Sequence, residues 1–187
     1  MIISVQNRLG GVGKTTIAVH IAYCLASSGD RVLLLDSDPQ GSSLDWAAAR
    51  EQQPPFSVLG LDRPTIHRDI EPSAENYDYV IIDGAPRTSE LVRSGIIAAD
   101  LVVIPVQPSP YDVWASEETV NLIREASVFK EKLKAVFVIN RKVVNTASGR
   151  DVVEALSCYK IPVLKAQRKS KGSFCRKCSN RKDGDGS

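Results

Sequence analysis

The sequence predicts an α/β domain: a doubly wound, mostly parallel sheet flanked by helices. Three observations lead there. Apolar, β-rich runs alternate with helix-like runs as far as about residue 164. Several strand runs, among them Val32-Leu33-Leu34-Leu35 and Val80-Ile81-Ile82, are apolar without alternation, as in strands covered on both faces. A glycine-rich stretch, Gly10-Gly11-Val12-Gly13, separates the first strand run from the first helix run.

In chain order the strand runs are Ile2–Asn7, Arg31–Asp36, Phe56–Leu59, Tyr79–Asp83, Leu101–Val106, Ala135–Asn140 and a short Pro162–Leu164. Between and after them the pattern predicts helices over Lys14–Ser28, Ser42–Glu51, Thr65–Glu75, Thr88–Ala98, Val113–Phe129 and Gly149–Tyr159. Gly29 closes the first helix, and Gln52-Gln53-Pro54-Pro55 reads as a loop. Trp46 and Trp114 read as core or interface packing, Cys24 and Cys158 as small buried apolar groups, and Val113–Phe129 as a solvated amphipathic helix. The domain is expected to span 1–164, with 165–187 a basic tail too poor in apolar residues to order itself.

Composition suits a soluble globular protein, with 43% hydrophobic and 25% charged residues among 187. No apolar run nears the roughly 20 residues that span a bilayer. The N-terminus enters a strand without a basic leader, so a cytoplasmic protein is expected. From Lys165 onward there are eight basic and two acidic residues, which leaves the body with 16 basic and 20 acidic. The basic character thus sits in the tail. Cys175 and Cys178 have metal-ligand spacing but form half a zinc site at best.

The chemistry gathers at strand ends, where ligands of such folds sit. Gly10-Gly11-Val12-Gly13-Lys14-Thr15-Thr16 is a phosphate-binding loop in its required context. Its glycines let successive N–H groups face one centre, and the following helix adds its positive end. Lys14 reaches the β- and γ-phosphates, and the Thr15 hydroxyl ligates Mg²⁺. In Asp36-Ser37-Asp38-Pro39-Gln40, Asp38 is read as orienting the attacking water and Asp36 as holding the metal's water shell. The alternative is a capped turn that starts the Ser42 helix. Asp83 ends an apolar strand and suits the second acid on the metal side, with Gly84–Arg87 as a switch segment. Pro105 to Pro110, with Asn140 and Arg141, are expected to rim the base and ribose.

Taken together, Gly10–Thr16, Asp36–Gly41, the Asp83 strand and Pro105–Pro110 resemble the ParA/MinD superfamily of deviant Walker P-loop ATPases. The similarity is nearest to small ParA-type plasmid partition ATPases, which share Pro-Ser-Pro before a helix and Arg-Lys after a late strand. The resemblance implies ATP and Mg²⁺ as cofactors, an ATP-dependent homodimer, weak ATPase activity, non-specific DNA binding and a ParB-like adaptor. It also exposes a departure. The family's signature lysine precedes the two glycines and reaches the partner subunit's phosphates; here Leu9 stands there, preceded by Arg8. ATP binding is therefore expected more firmly than efficient hydrolysis, and a nucleotide-binding scaffold with little turnover is the competing function. A membrane anchor is not expected, because the tail lacks an apolar face. Metabolic kinases need a lid segment that the body does not show. The tail offers either a phosphate contact for DNA or a solvated charge run.

Overall fold

The computed structural model describes residues 1–87, 89–140 and 147–164. Seven strands form one sheet: β1 (Ile2–Val5), β2 (Val32–Asp36), β3 (Ser57–Gly60), β4 (Tyr79–Asp83), β5 (Leu101–Val106), β6 (Lys134–Ile139) and β7 (Val163–Leu164). Their spatial order is β3-β2-β4-β1-β5-β6-β7, and every pairing is parallel. The helices are α1 (Lys14–Ser27), α2 (Ser42–Ala48), α3 (Ile66–Asp69), α4 (Glu71–Ala74), α5 (Ser89–Ala98), α6 (Pro110–Phe129) and α7 (Ala147–Ser157). The predicted doubly wound α/β fold is the one observed.

The continuous apolar strands are explained by two cores. Val32 and Leu34 of β2 join Ile3, Val5, Ile81 and Val103 under Ala18, Val19 and Ala22 of α1. Leu33 and Leu35 point the other way, to Val80, Ile82, Ile66 and Leu91. Beyond β1 that second face continues through Val102, Ile104, Val106 and Phe137 beneath α5, α6 and α7. With a side-chain period of two, only an uninterrupted apolar run serves both layers.

Some boundaries differ from the pattern, each for a physical reason. The single helix expected over Thr65–Glu75 is two short ones, because Pro72 lacks an N–H and its ring opposes the carbonyl four residues back. The helix expected from Val113 starts at Pro110, since proline is tolerated in a first turn. Strand β1 stops at Val5, leaving Gln6 and Asn7 to other partners. One packing expectation is corrected: Cys158 is exposed near the end of α7 rather than buried. Trp114 is 71% exposed on α6, so of its two expected placements the core is the one it does not take. Trp46 is half-buried and stacks parallel on Phe56, with the Arg50 guanidinium over its ring. Among the described residues no helix is long and apolar enough to cross a membrane. Arg141 and everything from 165 onward, Cys175 and Cys178 included, lie outside the described residues.

Candidate nucleotide-binding site

Sheet order builds the site. Strand β1 is central, and the chain leaves it toward β2 by way of α1, so the loop 6–13 crosses the sheet's carboxyl edge between β4 and β5. Register does the rest: Val5 pairs with Asp83, and Asp83 with Asp36, so both acids stand at neighbouring strand tips. Gly11 and Gly13 have φ of +76° and +95°, left-handed values open to glycine. They turn the loop onto the first turn of α1, whose leading N–H groups have no intrahelical acceptor.

Side chains from the flanking strand ends hold the loop by its carbonyls. Gln107 Nε2 donates to Gly11 O at 2.9 Å, and Asn140 Nδ2 donates to Val12 O at 2.9 Å. Asn7 bridges the entry: its Nδ2 donates to Pro105 O at 2.8 Å, and its Oδ1 accepts the Leu9 N–H at 2.9 Å. Pro105 is thus buried inside β5 as a brace of the loop's entry. Within the Pro105–Pro110 segment it is Gln107 whose side chain reaches the loop. Asn140, expected to rim the base and ribose, gives one amide hydrogen bond to the loop backbone.

Lys14, only 7% exposed, donates from Nζ to Leu9 O at 2.9 Å. Burial lowers its pKa, while the charges of Asp83 and Asp38 act to raise it. Asp83 is 1% exposed and accepts the Ser43 hydroxyl at Oδ2, 2.8 Å. Burial pushes its pKa up to about 6, against the hydroxyls of Ser43 and Thr15, with the Asp36 charge adding to the rise. Its other oxygen, Oδ1, is buried without a hydrogen-bond partner. Thr15 lies close enough to influence the carboxylate yet does not satisfy that oxygen.

Asp36 behaves differently. Its Oδ2 accepts the N–H groups of Ser43 (2.7 Å) and Leu44 (3.1 Å), and its Oδ1 that of Asp38 (3.1 Å). It caps α2 from the strand tip, the role the sequence left as the alternative. Burial nonetheless raises its pKa. Asp38 is only partly buried, and its Oδ1 accepts the Gln40 N–H at 3.0 Å. Gly10, Thr16 and Val12 complete the loop, with Val12 fully buried and the other two exposed.

Two residues here were missed at the sequence level, Ser43 and Asn7, and Gln107 was named only as part of a segment. Ser43 had a signal, a hydroxyl in the first turn of the helix that the Asp36–Gly41 motif starts. Gln107 lay inside the segment singled out after β5. Nothing local marked Asn7. Among the described residues no group of three or more His, Cys, Asp or Glu side chains could hold a metal ion alone. The orphaned Asp83 oxygen beside the Thr15 hydroxyl instead fits a cation completed by phosphate oxygens, as Mg²⁺ is commonly bound.

A glycine loop leading into α1, a buried lysine inside it and an acid on the adjacent strand tip define a P-loop nucleotide-binding domain. The model of the CobQ/CobB/MinD/ParA nucleotide-binding domain matches residues 3–171, and the chain belongs to that family. It is similar to maintenance of carboxysome distribution protein A of Halothiobacillus neapolitanus, at 34% identity over 165 residues, covering 87% of this chain and 76% of that protein. It is also similar to the chromosome-partitioning ATPase Soj of Thermus thermophilus, at 34% identity over 138 residues, 58% of this chain and 55% of that one. Cobyrinic acid a,c-diamide synthase from Mycobacterium smegmatis, solved with ADP and magnesium, has the same fold, with a TM-score of 0.74 at 23% identity over 88% of this chain and 84% of that chain.

Proposed function

We propose that this chain is a partition-type switch ATPase. It binds Mg-ATP at Gly10–Thr16, dimerises in that state, and acts in the cytoplasm in plasmid or chromosome segregation with a ParB-like adaptor and non-specific DNA. The observation that carries the nucleotide half is Asp83 Oδ1, a buried acceptor without a partner beside the Thr15 hydroxyl and the Lys14 ammonium. The partition half is supported by the similarity to Soj and to a carboxysome distribution protein.

In this reading Lys14 leaves the Leu9 carbonyl for the β- and γ-phosphates, while Thr15 and Asp83 hold the metal and Asp36 fixes the turn beside it. Bound Mg²⁺ would supply charge neutralisation at the phosphates. Asp38 orients the attacking water and accepts its proton at a carboxylate oxygen. Asn140 and Gln107 keep the loop's carbonyls turned away from the phosphates; together with Arg141 they line the nucleoside side.

The test is the mass of the purified protein in solution with and without Mg-ATP, alongside calorimetry. Binding heat and a shift to dimer are expected for the wild type, and neither for Lys14→Ala. A wild type that gives no heat refutes the reading. A second reading, a nucleotide-binding scaffold with little hydrolysis, is favoured by Leu9 at the signature position: there binding and dimerisation persist while turnover stays negligible.

A further inference from the structure

The segment Gly84–Arg87, which extends from the Asp83 strand tip, is fastened at its far end by Arg8. Arg87 N donates to Arg8 O at 3.1 Å, and Arg8 Nη2 donates back to Arg87 O at 3.2 Å. The residue two places before the glycines is therefore tied in both directions to the end of that segment. Through Nη1 the same guanidinium meets Glu118 of α6, and the Arg8 N–H donates to Thr119 Oγ1, also on α6, at 3.4 Å. Three elements converge on one residue, through its backbone and its guanidinium: the loop's approach, the segment after β4, and α6.

Two further features mark this junction as held under tension. Arg87 has φ +63°, a left-handed conformation disfavoured outside glycine, which persists where surrounding contacts impose it. Both described hydrogen bonds of the Arg87 backbone go to Arg8. Arg8 Nε is buried with no hydrogen-bond partner, so the side chain is aimed at its two anchors and leaves a third donor unmet. The near end is fixed as well: a Cβ on Gly84 would stand 2.1 Å from Gln6 Oε1 and 2.5 Å from Val5 O. Glu118 is 58% exposed, so its ion pair supplies direction to the guanidinium more than stability.

We propose that Arg8 is a positioning residue that clamps the Gly84–Arg87 segment beside the phosphate loop and couples it to α6. Its charge is spent inside its own chain, so it does not stand in for the lysine missing at position 9. As a consequence, and resting on the nucleotide reading above, nucleotide affinity belongs to the loop and turnover to the clamped segment.

The test is amide hydrogen exchange of the full chain without nucleotide, for wild type, Arg8→Ala, Arg8→Lys and Glu118→Gln. Exchange over 84–87 should speed up by about tenfold or more in Arg8→Ala while α1 stays unchanged. Arg8→Lys keeps the charge but not the planar fork, and should restore only part of the protection. Glu118→Gln, which leaves the bonds of Arg8 to Arg87 and Thr119 in place, should show a smaller loosening in the same segment and covers the case in which Arg8→Ala fails to fold. Unchanged exchange at 84–87 in these variants overturns the clamp. With Mg-ATP, Arg8→Ala should lower kcat by roughly tenfold to a hundredfold with Kd nearly constant, and an equal loss in both overturns the split. Failure of the wild type to bind Mg-ATP sinks the proposed function, while the nucleotide-free exchange data still decide the clamp.

Discussion

Asp36 and Asp83 are register partners at the tips of two adjacent parallel strands, yet one carboxylate is used up by the backbone and the other keeps an oxygen in reserve. Identical chemistry at equivalent positions thus divides into a structural acid and a ligand-ready acid. The segment leaving each strand sets the division: the 36–41 turn brings the Asp38 N–H and the first N–H groups of α2 back to Asp36, and Gly84 presents none to Asp83 Oδ1.

Replacing Asp36 separates these roles. Asp36→Ala strands the N–H groups of Asp38, Ser43 and Leu44, and the loss of a cap with buried donors left unmet should destabilise the protein by about 2–3 kcal/mol. In thermal unfolding without nucleotide this reads as a fall of roughly 5–10 °C. A melting temperature equal to wild type would show that the turn holds without its acid.

The pH dependence of the metal-free protein should carry the mark of Asp83. Its folded pKa of about 6 lies above the ordinary 3.8, so between those values the folded state binds more protons than the unfolded one. Stability therefore falls as pH rises from about 4 to about 6, and the full penalty, roughly 3 kcal/mol, persists above that. Asp83→Asn removes the titration. In chelator-containing buffer it should be more stable than wild type at pH 8 and gain nothing at pH 4. A variant less stable than wild type at both pH values would contradict this account.

The loop's geometry makes a paired prediction at Gly13 and Asn140. A Cβ on Gly13 would lie 2.3 Å from Asn140 Nδ2 and would also force a side chain onto φ +95°. Gly13→Ala should therefore destabilise the loop, and adding Asn140→Ala should recover only the contact part. About 1–2 kcal/mol of backbone strain should remain in the double variant relative to Asn140→Ala alone. Complete recovery in denaturant titrations would mean that the backbone relaxes out of the left-handed region.

Position 9 governs turnover in the proposed function. Leu9→Lys introduces the family's signature cation and should raise the ATPase rate by about tenfold or more, given the scale on which such cations act. A steady-state assay at saturating Mg-ATP reads this directly. No gain would make Leu9 irrelevant to the rate.

The phosphate loop, the two strand-tip acids and the layered sheet were legible because each is a local pattern. Glycines before Lys14-Thr15, an apolar run ending in Asp83 and uninterrupted apolar strands are set by near neighbours in the chain. Asp36 was legible both as a site residue and, in the alternative reading, as a cap; which role it fills was not, since that depends on the path by which the 36–41 turn returns α2 to the strand tip. The split of the expected Thr65–Glu75 helix at Pro72 was written in the sequence and outweighed by the surrounding helical pattern.

By itself the sequence determined which strands are buried on both faces and where the glycine loop turns into α1, because periodicity and loop chemistry act over a few residues. Only the tertiary structure decided what holds that loop. Asn140 meets Val12 across 128 positions, Arg8 meets Thr119 across 111, and Gln107 meets Gly11 across 96. The order of strands around β1 brings these partners together, and hydrogen bonds between such distant residues leave no periodic trace along the chain.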